Sequence, residues 1–238
     1  MTTVLQIAAM ANAKIANAQA AVTNNLANAS TTAFKADLYY AEKEYLGSNE
    51  SGSSAVDFGA GNVYATGRDL DVAISGPGWM QVLTPTGEEV LSRRGDLRVD
   101  AQGNLVDALQ NQILGDGGPI TVLPGSRVAI GADGTVSFVP IGETSLSTST
   151  AGRILLVDPD PNTLTKGLDG YVRADATANL EPSAEVQLAV GALESSNVNP
   201  IASMVQMIEL SRSFESTIKT MKTADELDAS SASLMRLE

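Results

Sequence analysis

Apolar residues near the N-terminus recur at alternating steps of four and three. They form a seam of roughly two and a half heptads, made of Val4, Ala8, Ala11, Ile15, Ala18 and Val22. This spacing places the seam on one face of a helix and predicts an amphipathic helix over residues 3–35. Because half of the seam is alanine, each position buries little area, and we expect the helix to fray in the free monomer.

The pattern changes to a strand-like period of two near residue 67. Leu70, Val72 and Ile74 alternate with Asp69, Asp71 and Ala73, as in strands with one solvated face. Turn signals then follow at short intervals, which is typical of antiparallel sheets.

One of these turns, Asp133-Gly134, lies between two apolar pairs and predicts a hairpin with a type I′ turn. An antiparallel all-β domain is therefore predicted over residues 67–192. Residues 36–66 precede it as a linker, and the Gly- and Ser-rich composition around residues 47–54 is that of a flexible chain.

A second helical pattern covers the C-terminal segment. Asn199 is placed to cap a helix whose first residue is Pro200. Steps of three and four then connect Met204, Met207, Leu210, Phe214, Ile218, Met221, Ala224 and Leu227. A shorter seam of Ile201, Val205 and Ile208 widens the apolar face at its start. We predict a helix over residues 198–236, about 50 Å long.

The predicted fold is α+β, with long N- and C-terminal helices forming a coiled-coil assembly domain around a central antiparallel all-β domain. The predicted divisions are an N-terminal assembly helix at 1–35, a linker at 36–66, the β-domain at 67–192 and a C-terminal assembly helix at 193–238.

Composition narrows the function classes. The 238-residue chain has a net charge of −13 and contains neither cysteine nor histidine. Disulfides, thiolate nucleophiles and the common zinc ligands are thereby excluded, and no basic stripe offers a site for nucleic acid. The N-terminus lacks the basic and leucine-rich regions of a signal peptide, so we expect any export to use a route other than general secretion.

Signals of catalysis are weak. Asp69 and Asp71 share one face of a predicted strand, as the carboxylates of a glycan hydrolase could, and we favour the interpretation that they form an ordinary solvated strand face. The Arg93, Arg94 and Arg98 cluster is also interpreted as a solvated face. Asp158, Asp160 and Asn162 resemble only the first part of a calcium loop. We predict no enzyme activity, no cofactor and no metal site.

Four segments stand out in order along the chain: Asn24-Asn25-Leu26-Ala27-Asn28-Ala29-Ser30-Thr31-Thr32-Ala33-Phe34-Lys35, Leu70-Asp71-Val72-Ala73-Ile74-Ser75-Gly76-Pro77-Gly78-Trp79, Arg93 through Val106, and Ser196 through Asp225. Together they resemble the flagellar basal-body rod and hook proteins. Within that family, Gly115-Asp116-Gly117-Gly118-Pro119-Ile120 is most similar to the proximal rod proteins. Ala33 departs from the glycine that many members have, so we expect a less sharp turn there.

The resemblance implies a non-enzymatic subunit that polymerises through its terminal helices into a helical tube and transmits torque. It implies copies of itself and other rod proteins as partners, delivery by the flagellar type III export apparatus without a cleaved signal peptide, and a position in the periplasmic rod. Neither nucleic acid nor a small-molecule substrate is expected. A distal rod or hook paralogue and a carboxylate-based cell-wall hydrolase remain the alternatives.

The predicted subunit interface combines residues of both helices and of the N-terminal motif. Its members are Leu5, Ile15, Val22, Asn24, Asn25, Leu26, Asn28, Phe34, Met207, Phe214, Ile218 and Met221.

Overall fold

The chain forms two compact units. The computed structural model describes residues 2–40, 53–140, 148–167, 169–176 and 178–234. A helical unit lies within residues 1–29, 36–57 and 198–238, and a β unit lies within residues 30–35 and 58–197.

The helical unit contains the two long helices and a short strand pair. Its elements are α1 (Thr2–Ala27), β1 (Asp37–Tyr40), β2 (Ser53–Val56) and α2 (Pro200–Leu234). The strands β1 and β2 pair antiparallel. The helices also run antiparallel, because Asn12 of α1 lies against Met221 of α2 while Thr23 lies against Met207.

The start of α2 agrees with its sequence signal. The side-chain oxygen of Asn199 accepts hydrogen bonds from the backbone N–H groups of Ile201 at 3.0 Å and Ala202 at 3.2 Å. These two donors would otherwise have no partner in the first turn. The prediction of Asn199 as the N-cap, followed by Pro200, is confirmed.

The N-terminal helix is shorter than predicted. It ends at Ala27 instead of residue 35, and Asn28 and the Ser-Thr-Thr run after it favour turns over helix because their side chains compete for backbone groups. The predicted linker contains β1 and β2 and the first strand of the β unit. The centre of that linker, at residues 47–52, lies outside the described residues.

The β unit consists of short antiparallel strands and one 3₁₀ turn at Pro161–Thr163. The strands are β3 (Val63–Ala65), β4 (Val72–Ser75), β5 (Trp79–Leu83), β6 (Glu89–Ser92), β7 (Arg98–Val99), β8 (Leu105–Val106), β9 (Gln112–Gly115), β10 (Gly118–Pro119), β11 (Arg127–Ile130), β12 (Thr135–Val139), β13 (Ser149–Arg153), β14 (Leu156–Val157), β15 (Leu164–Lys166), β16 (Val172–Ala174), β17 (Gln187–Val190) and β18 (Ala192–Glu194).

The main sheet has the strand order β15-β16-β6-β5-β9-β8-β7, with β14 also paired to β5 and β10 to β9. Smaller sheets are β11-β12-β13, β17-β4 and β18-β3. The antiparallel strands and the two terminal helices confirm the predicted α+β class.

Strand β5 is buried on both of its faces. Met80 and Val82 pack into the larger apolar cluster of the unit, whereas Trp79 packs into a second cluster and meets the Phe58 ring edge-on at 5.8 Å. Strand β4 is similar, since Val72 and Ile74 are as buried as Ala73 between them. The predicted solvated face of β4 is therefore wrong, because Ala73 on its second face is buried as well.

The hairpin predicted at Asp133-Gly134 exists, and its turn differs from the expected type. Strands β11 and β12 pair from Ile130 and Val136 outward, and the loop closes with a hydrogen bond from the N–H of Gly134 to the carbonyl of Gly131. Only Gly134 of the Asp-Gly pair has a positive φ, +84°, whereas a type I′ turn needs two such residues.

We predict that Gly95→Ala destabilises the β unit by about 1–3 kcal/mol, as overpacking of a tight site does. A Cβ atom at residue 95 would overlap the backbone carbonyl of Val72, whose N–H bonds to the Gly95 carbonyl at 3.0 Å. Urea unfolding followed by the fluorescence of Trp79, the single tryptophan, measures the loss.

The matched control is Gly117→Ala, because a Cβ atom at residue 117 meets nothing within 4 Å. Its unfolding free energy is expected to stay within about 0.5 kcal/mol of the wild type. Equal losses in the two variants would contradict the packing argument.

Candidate functional site

A buried ionic cluster, which we call the Glu194 junction, joins three distant parts of the β unit. It consists of Lys35, Arg93 and Glu194, with side chains that are 3%, 4% and 0% exposed. The carboxylate of Glu194 accepts a hydrogen bond from Lys35 Nζ at 2.7 Å on one oxygen and from Arg93 Nε at 2.8 Å on the other. The N–H of Gly61 donates to the first oxygen at 2.9 Å.

The two cations of the junction use their remaining donors on backbone carbonyls. Arg93 donates to the carbonyl of Gly78 at 2.6 Å and to that of Gly76 at 3.1 Å, and its guanidinium lies 5.8 Å from the centre of the Trp79 ring. Lys35 donates to the carbonyl of Gly59 at 2.8 Å. The buried charges are therefore both paired and hydrogen-bonded, the condition under which burial of charge is tolerated.

Residues 31–35 lie along the last strand of the β unit. The N–H of Ala33 donates to the carbonyl of Glu194 at 2.9 Å, and the N–H of Asn197 donates to the carbonyl of Phe34 at 3.2 Å. Lys166 of β15 adds a third contact, since its ammonium donates to the Lys35 carbonyl at 2.9 Å and lies 4.1 Å from the centre of the Phe34 ring.

Ala33 makes the sharp turn that this segment requires. Its φ is +55°, in the left-handed region that glycine occupies without strain. The expectation of a less sharp turn at this position is therefore wrong. The backbone at residue 33 keeps the left-handed conformation that glycine favours, and the Cβ atom of Ala33 is strained by it.

The junction holds the pKa of Glu194 below its ordinary value of 4.5. Burial alone would raise that pKa. The hydrogen bond from Lys35, the charge of Arg93 and the N–H of Gly61 act in the opposite direction and outweigh it.

Arg93 is the residue that sequence reasoning missed. The prediction of a solvated Arg93, Arg94 and Arg98 cluster is wrong for Arg93, which is buried, while Arg94 is half-buried against Asp96 at 3.0 Å. The available signal was the position of Arg93 in a family-like segment, because local periodicity does not identify a partner 101 positions away.

The two aspartates considered for hydrolysis do not share an exposed face. Asp71 is 1% exposed and accepts a hydrogen bond from the Thr66 hydroxyl at 2.6 Å. Asp69 is 67% exposed and lies 3.8 Å from Arg127. The interpretation of both as one solvated strand face is wrong, and the separate environments do not form the carboxylate pair that glycoside hydrolysis needs.

The described residues contain no group of three acidic side chains that could hold a metal ion. In the partial calcium pattern, Asp160 instead caps the 3₁₀ turn and accepts the N–H of Asn162 at 2.9 Å.

In the helical unit, the asparagines of the N-terminal motif fix the chain reversal from α1 to β1. Asn25 is buried and exchanges two hydrogen bonds with the backbone of Asp37, both at 2.8 Å. Asn24 donates to the Asp37 carboxylate at 2.6 Å, and Asn28 donates to the Asn24 carbonyl at 2.9 Å. These side chains act within the chain as well as belonging to the predicted interface.

Several residues of the predicted helix seams are covered within the helical unit. On α1, Val22 is buried and Ile15 and Leu26 are half-buried. On α2, the Met221 sulfur accepts a hydrogen bond from Asn12 at 3.3 Å, and the Met207 sulfur lies 4.0 Å from the donating Thr23 hydroxyl. Among the remaining predicted residues, Ile218 is half-buried, Phe214 is 37% exposed, and the side chain of Leu5 lies outside the description.

Other large apolar side chains of the helical unit remain exposed. They are Ile7 and Met10 on α1 and Ile201, Met204, Val205 and Ile208 on α2. Within the described residues, neither helix has the length and apolar character needed to cross a bilayer.

Two family models match the chain. One, described as "Flagellar hook protein FlgE/F/G D1 domain", matches residues 73–138, and the other, "Flagellar basal body rod FlgEFG protein C-terminal", matches residues 189–234. The first match contains Arg93, and the second contains Glu194 and all of α2.

Curated relatives extend the similarity over nearly the whole chain. The flagellar basal-body rod protein FlgF of Salmonella typhimurium is 33% identical, over 93% of this chain and 93% of the relative. FlgF of Escherichia coli is 33% identical, over 88% of this chain and 89% of the relative. FlgG of Buchnera aphidicola, also a basal-body rod protein, is 29% identical over 87% and 89%.

We predict that Glu194→Gln lowers the unfolding free energy at neutral pH by about 3–5 kcal/mol, because the substitution leaves two buried cations without their counter-charge. Glu181→Gln, at an exposed glutamate, is the control and is expected to change stability by less than about 0.5 kcal/mol. Urea unfolding followed by Trp79 fluorescence measures both.

The dependence of the unfolding free energy on pH gives a second test of the Glu194 carboxylate. Since the folded pKa of Glu194 is lowered, its contribution is fully present above about pH 4.5 and is lost as the pH falls through the folded pKa. The gap between wild type and Glu194→Gln should therefore narrow below pH 4.5. A gap that is constant through acid pH would show that charge at this position does not matter.

We also predict that Ala33→Gly stabilises the protein by up to about 1 kcal/mol, because glycine removes the strain of a left-handed alanine. Ala132→Gly is the control, since Ala132 lies in a turn but its own φ is not positive, and it should gain nothing. Thermal unfolding compares the two variants, and an equal or larger gain at Ala132 would contradict the strain argument.

Proposed function

This chain belongs to the family of flagellar basal-body rod and hook proteins and is most like its FlgF members, and from that premise we propose that it is a structural subunit of the bacterial flagellar rod which assembles through its terminal helices. The family resemblance drawn from its motifs is confirmed by relatives that match about nine-tenths of the chain.

The observation that carries the assembly proposal is the exposure of apolar side chains on both terminal helices. Ile7 is 64% exposed and Ile201 is 74% exposed, although a helix that completes its own core buries such residues. Uncovered apolar surface of this kind is typical of an interface awaiting a partner. The partners are other rod components, and the assembled form we propose is a helical tube that transmits torque.

The twelve residues predicted from the sequence retain a role in this proposal. Those on the inner seams, such as Val22 and Met207, hold the two helices together, and the paired helices then act as one coiled-coil assembly element. Asn25 and Phe34 fix the chain that leaves α1. We propose that these residues shape the interface as well as contribute to it.

Delivery and location follow from the same proposal. We infer export by the flagellar type III apparatus without a cleaved signal peptide, and a final position in the periplasmic part of the rod. The lack of cysteine suits a chain that passes through the export apparatus unfolded, because such a chain cannot form incorrect disulfides.

Among the alternatives, a distal rod or hook protein would differ from the proposed subunit only in its position along the axis of the flagellum. FlgG relatives share 26–29% identity with the chain and FlgF relatives 28–34%, so the two ranges overlap and the highest identities are to FlgF proteins. The separate environments of Asp69 and Asp71 give the hydrolase alternative no support.

Removal of residues 2–29 tests the assembly proposal, because it deletes α1 and retains Lys35 and the whole β unit. We predict a truncated protein whose Trp79 fluorescence shows a folded β unit, and cells that carry it as their only copy are expected not to swim. Basal bodies purified from these cells should lack the protein, whereas those from wild-type cells should contain it.

The same cells provide the outcomes that would contradict the proposal. Absence of the wild-type protein from basal bodies would refute a rod subunit. Swimming supported by the truncated protein would refute assembly through the terminal helices.

A further inference from the structure

Three Asp-Gly pairs lie in turns of the β unit: Asp116-Gly117, Asp133-Gly134 and Asp169-Gly170. An aspartate followed by glycine can isomerise without an enzyme, because glycine has no Cβ atom to hinder attack by its own amide nitrogen. The two reacting groups are the aspartate carboxyl and the glycine N–H. Since the three pairs are chemically alike, the contacts that the fold gives to these groups decide which pair reacts.

In the Asp133-Gly134 pair, both reacting groups are held. The N–H of Gly134 donates to the carbonyl of Gly131 at 3.0 Å. The carboxylate of Asp133 accepts hydrogen bonds from the Thr135 hydroxyl at 2.7 Å and from the Thr135 N–H at 3.1 Å. These bonds lower the pKa of Asp133, which keeps the carboxyl in its ionised and less reactive form.

The Asp169-Gly170 pair is held more firmly. The N–H of Gly170 donates to the carbonyl of Gly167 at 3.0 Å. The guanidinium of Arg173 donates to both carboxylate oxygens of Asp169, at 2.9 Å and 2.6 Å, and the Tyr171 N–H adds a bond at 3.2 Å. The hydrogen bonding to Arg173 is the largest cause that lowers the pKa of Asp169 to about 2.

The Asp116-Gly117 pair, which connects β9 to β10, is different. Both residues are exposed, and within the described part of the chain neither the Asp116 carboxylate nor the Gly117 N–H has a hydrogen-bond or ion-pair partner. The N–H of Asp116 donates to the Arg153 carbonyl at 3.3 Å, and that group takes no part in the reaction. A Cβ atom at residue 117 or 118 would meet nothing within 4 Å, so the turn has room to move.

We propose that Asp116 is a site of isoaspartate formation in the folded protein, and that the fold protects Asp133 and Asp169 from the same reaction. The inference goes beyond the proposed function and does not depend on it. It assigns a covalent modification to one of three identical dipeptides from the contacts that each one makes.

The reaction proceeds through a succinimide ring. The amide nitrogen of Gly117 forms a bond to Cγ of Asp116, and the N–H proton and the carboxyl hydroxyl leave as one water. A second water then opens the ring. Addition at the main-chain carbonyl carbon of Asp116 breaks its bond to the Gly117 nitrogen and leaves the chain linked through Cγ, as isoaspartate. Addition at Cγ restores aspartate, so the reaction needs no co-reactant besides water.

The hydrogen bonds at the other two pairs raise the barrier to ring closure. The glycine N–H must leave its carbonyl partner, and the carboxylate must leave Thr135 or Arg173, before the nitrogen reaches Cγ. Hydrogen bonds to a charged carboxylate are among the stronger ones in proteins. We therefore expect Asp116 to react at least about tenfold faster than either other aspartate, a ratio equivalent to about 1.4 kcal/mol in activation free energy.

Isoaspartate at residue 116 alters a defined part of the sheet. The loop between β9 and β10 has two residues and sets Gly115 opposite Gly118. The isomer lengthens the main chain of this loop by one carbon atom, so the two strands cannot keep an unchanged register at the turn.

Incubation of the purified full-length protein tests the assignment. The protein is kept folded at physiological temperature and about pH 6, above the range in which Glu194 loses its contribution, and Trp79 fluorescence confirms the fold. Isoaspartate is quantified by methyl transfer from labelled S-adenosylmethionine with an isoaspartyl methyltransferase, and electron-transfer mass spectrometry of the peptides locates it. The expected result is accumulation at residue 116, with at least about tenfold less at residues 133 and 169.

The same chain unfolded in guanidinium chloride is the first control. The turn contacts are then lost, and the three aspartates are expected to react at rates within about threefold of one another. A preference for Asp116 that persists at full size in the unfolded chain would show that neighbouring sequence causes it, and would overturn the role of the fold.

The second control is Gly117→Ala, since a Cβ atom at residue 117 fits without overlap. The added methyl group hinders the attacking nitrogen, so isoaspartate at residue 116 is expected to fall about tenfold. An unchanged rate would exclude ring closure by this nitrogen.

The remaining outcomes are also decisive. Equal rates at the three aspartates of the folded protein would overturn the inference. So would a lack of isoaspartate at residue 116 in the folded protein while the unfolded chain forms it. None of these results bears on the proposed function, which the motility and basal-body experiments test separately.

Discussion

The buried carboxylate of Glu194 is the interaction on which the β unit depends. It neutralises Lys35 and Arg93, which lie 159 and 101 positions away in the sequence. Neither cation could remain inside the unit without it, because an unpaired buried charge costs several kcal/mol. The junction also links three of the four segments by which the family was identified: the Lys35 segment, the Gly76–Trp79 turn and the Arg93 segment.

The fold class could be predicted from the sequence because its signals are local. The Asn199-Pro200 start of α2 depends on contacts within one helical turn. Short strands separated by turn residues are likewise recognised from residues that are close together in the sequence. The burial of Arg93 and Asp71 could not be predicted, because strands distant in sequence cover them. The end of α1 at Ala27 was missed for a related reason, since heptad spacing does not encode where side chains begin to compete for the backbone.

The candidate interface was predictable only in part. Periodicity shows which residues of a helix share a face, as it does for Ile15 and Val22 of α1. It does not show which face finds its partner within the same chain. The structure pairs α1 with α2, and the α1 side chains that reach the methionines of α2 are the polar Asn12 and Thr23, which hydrophobic periodicity does not single out.

The position of Lys35 near one end of the chain and Glu194 near the other has a kinetic consequence. Their contact closes a loop of about 160 residues, and the entropy of closing so long a loop must be offset before the contact stabilises anything. Contacts of such high sequence separation slow folding. During synthesis, residues 31–35 have no carboxylate to bind until Glu194 has been made. A chain interrupted before residue 194 therefore cannot form the Lys35–Glu194 contact.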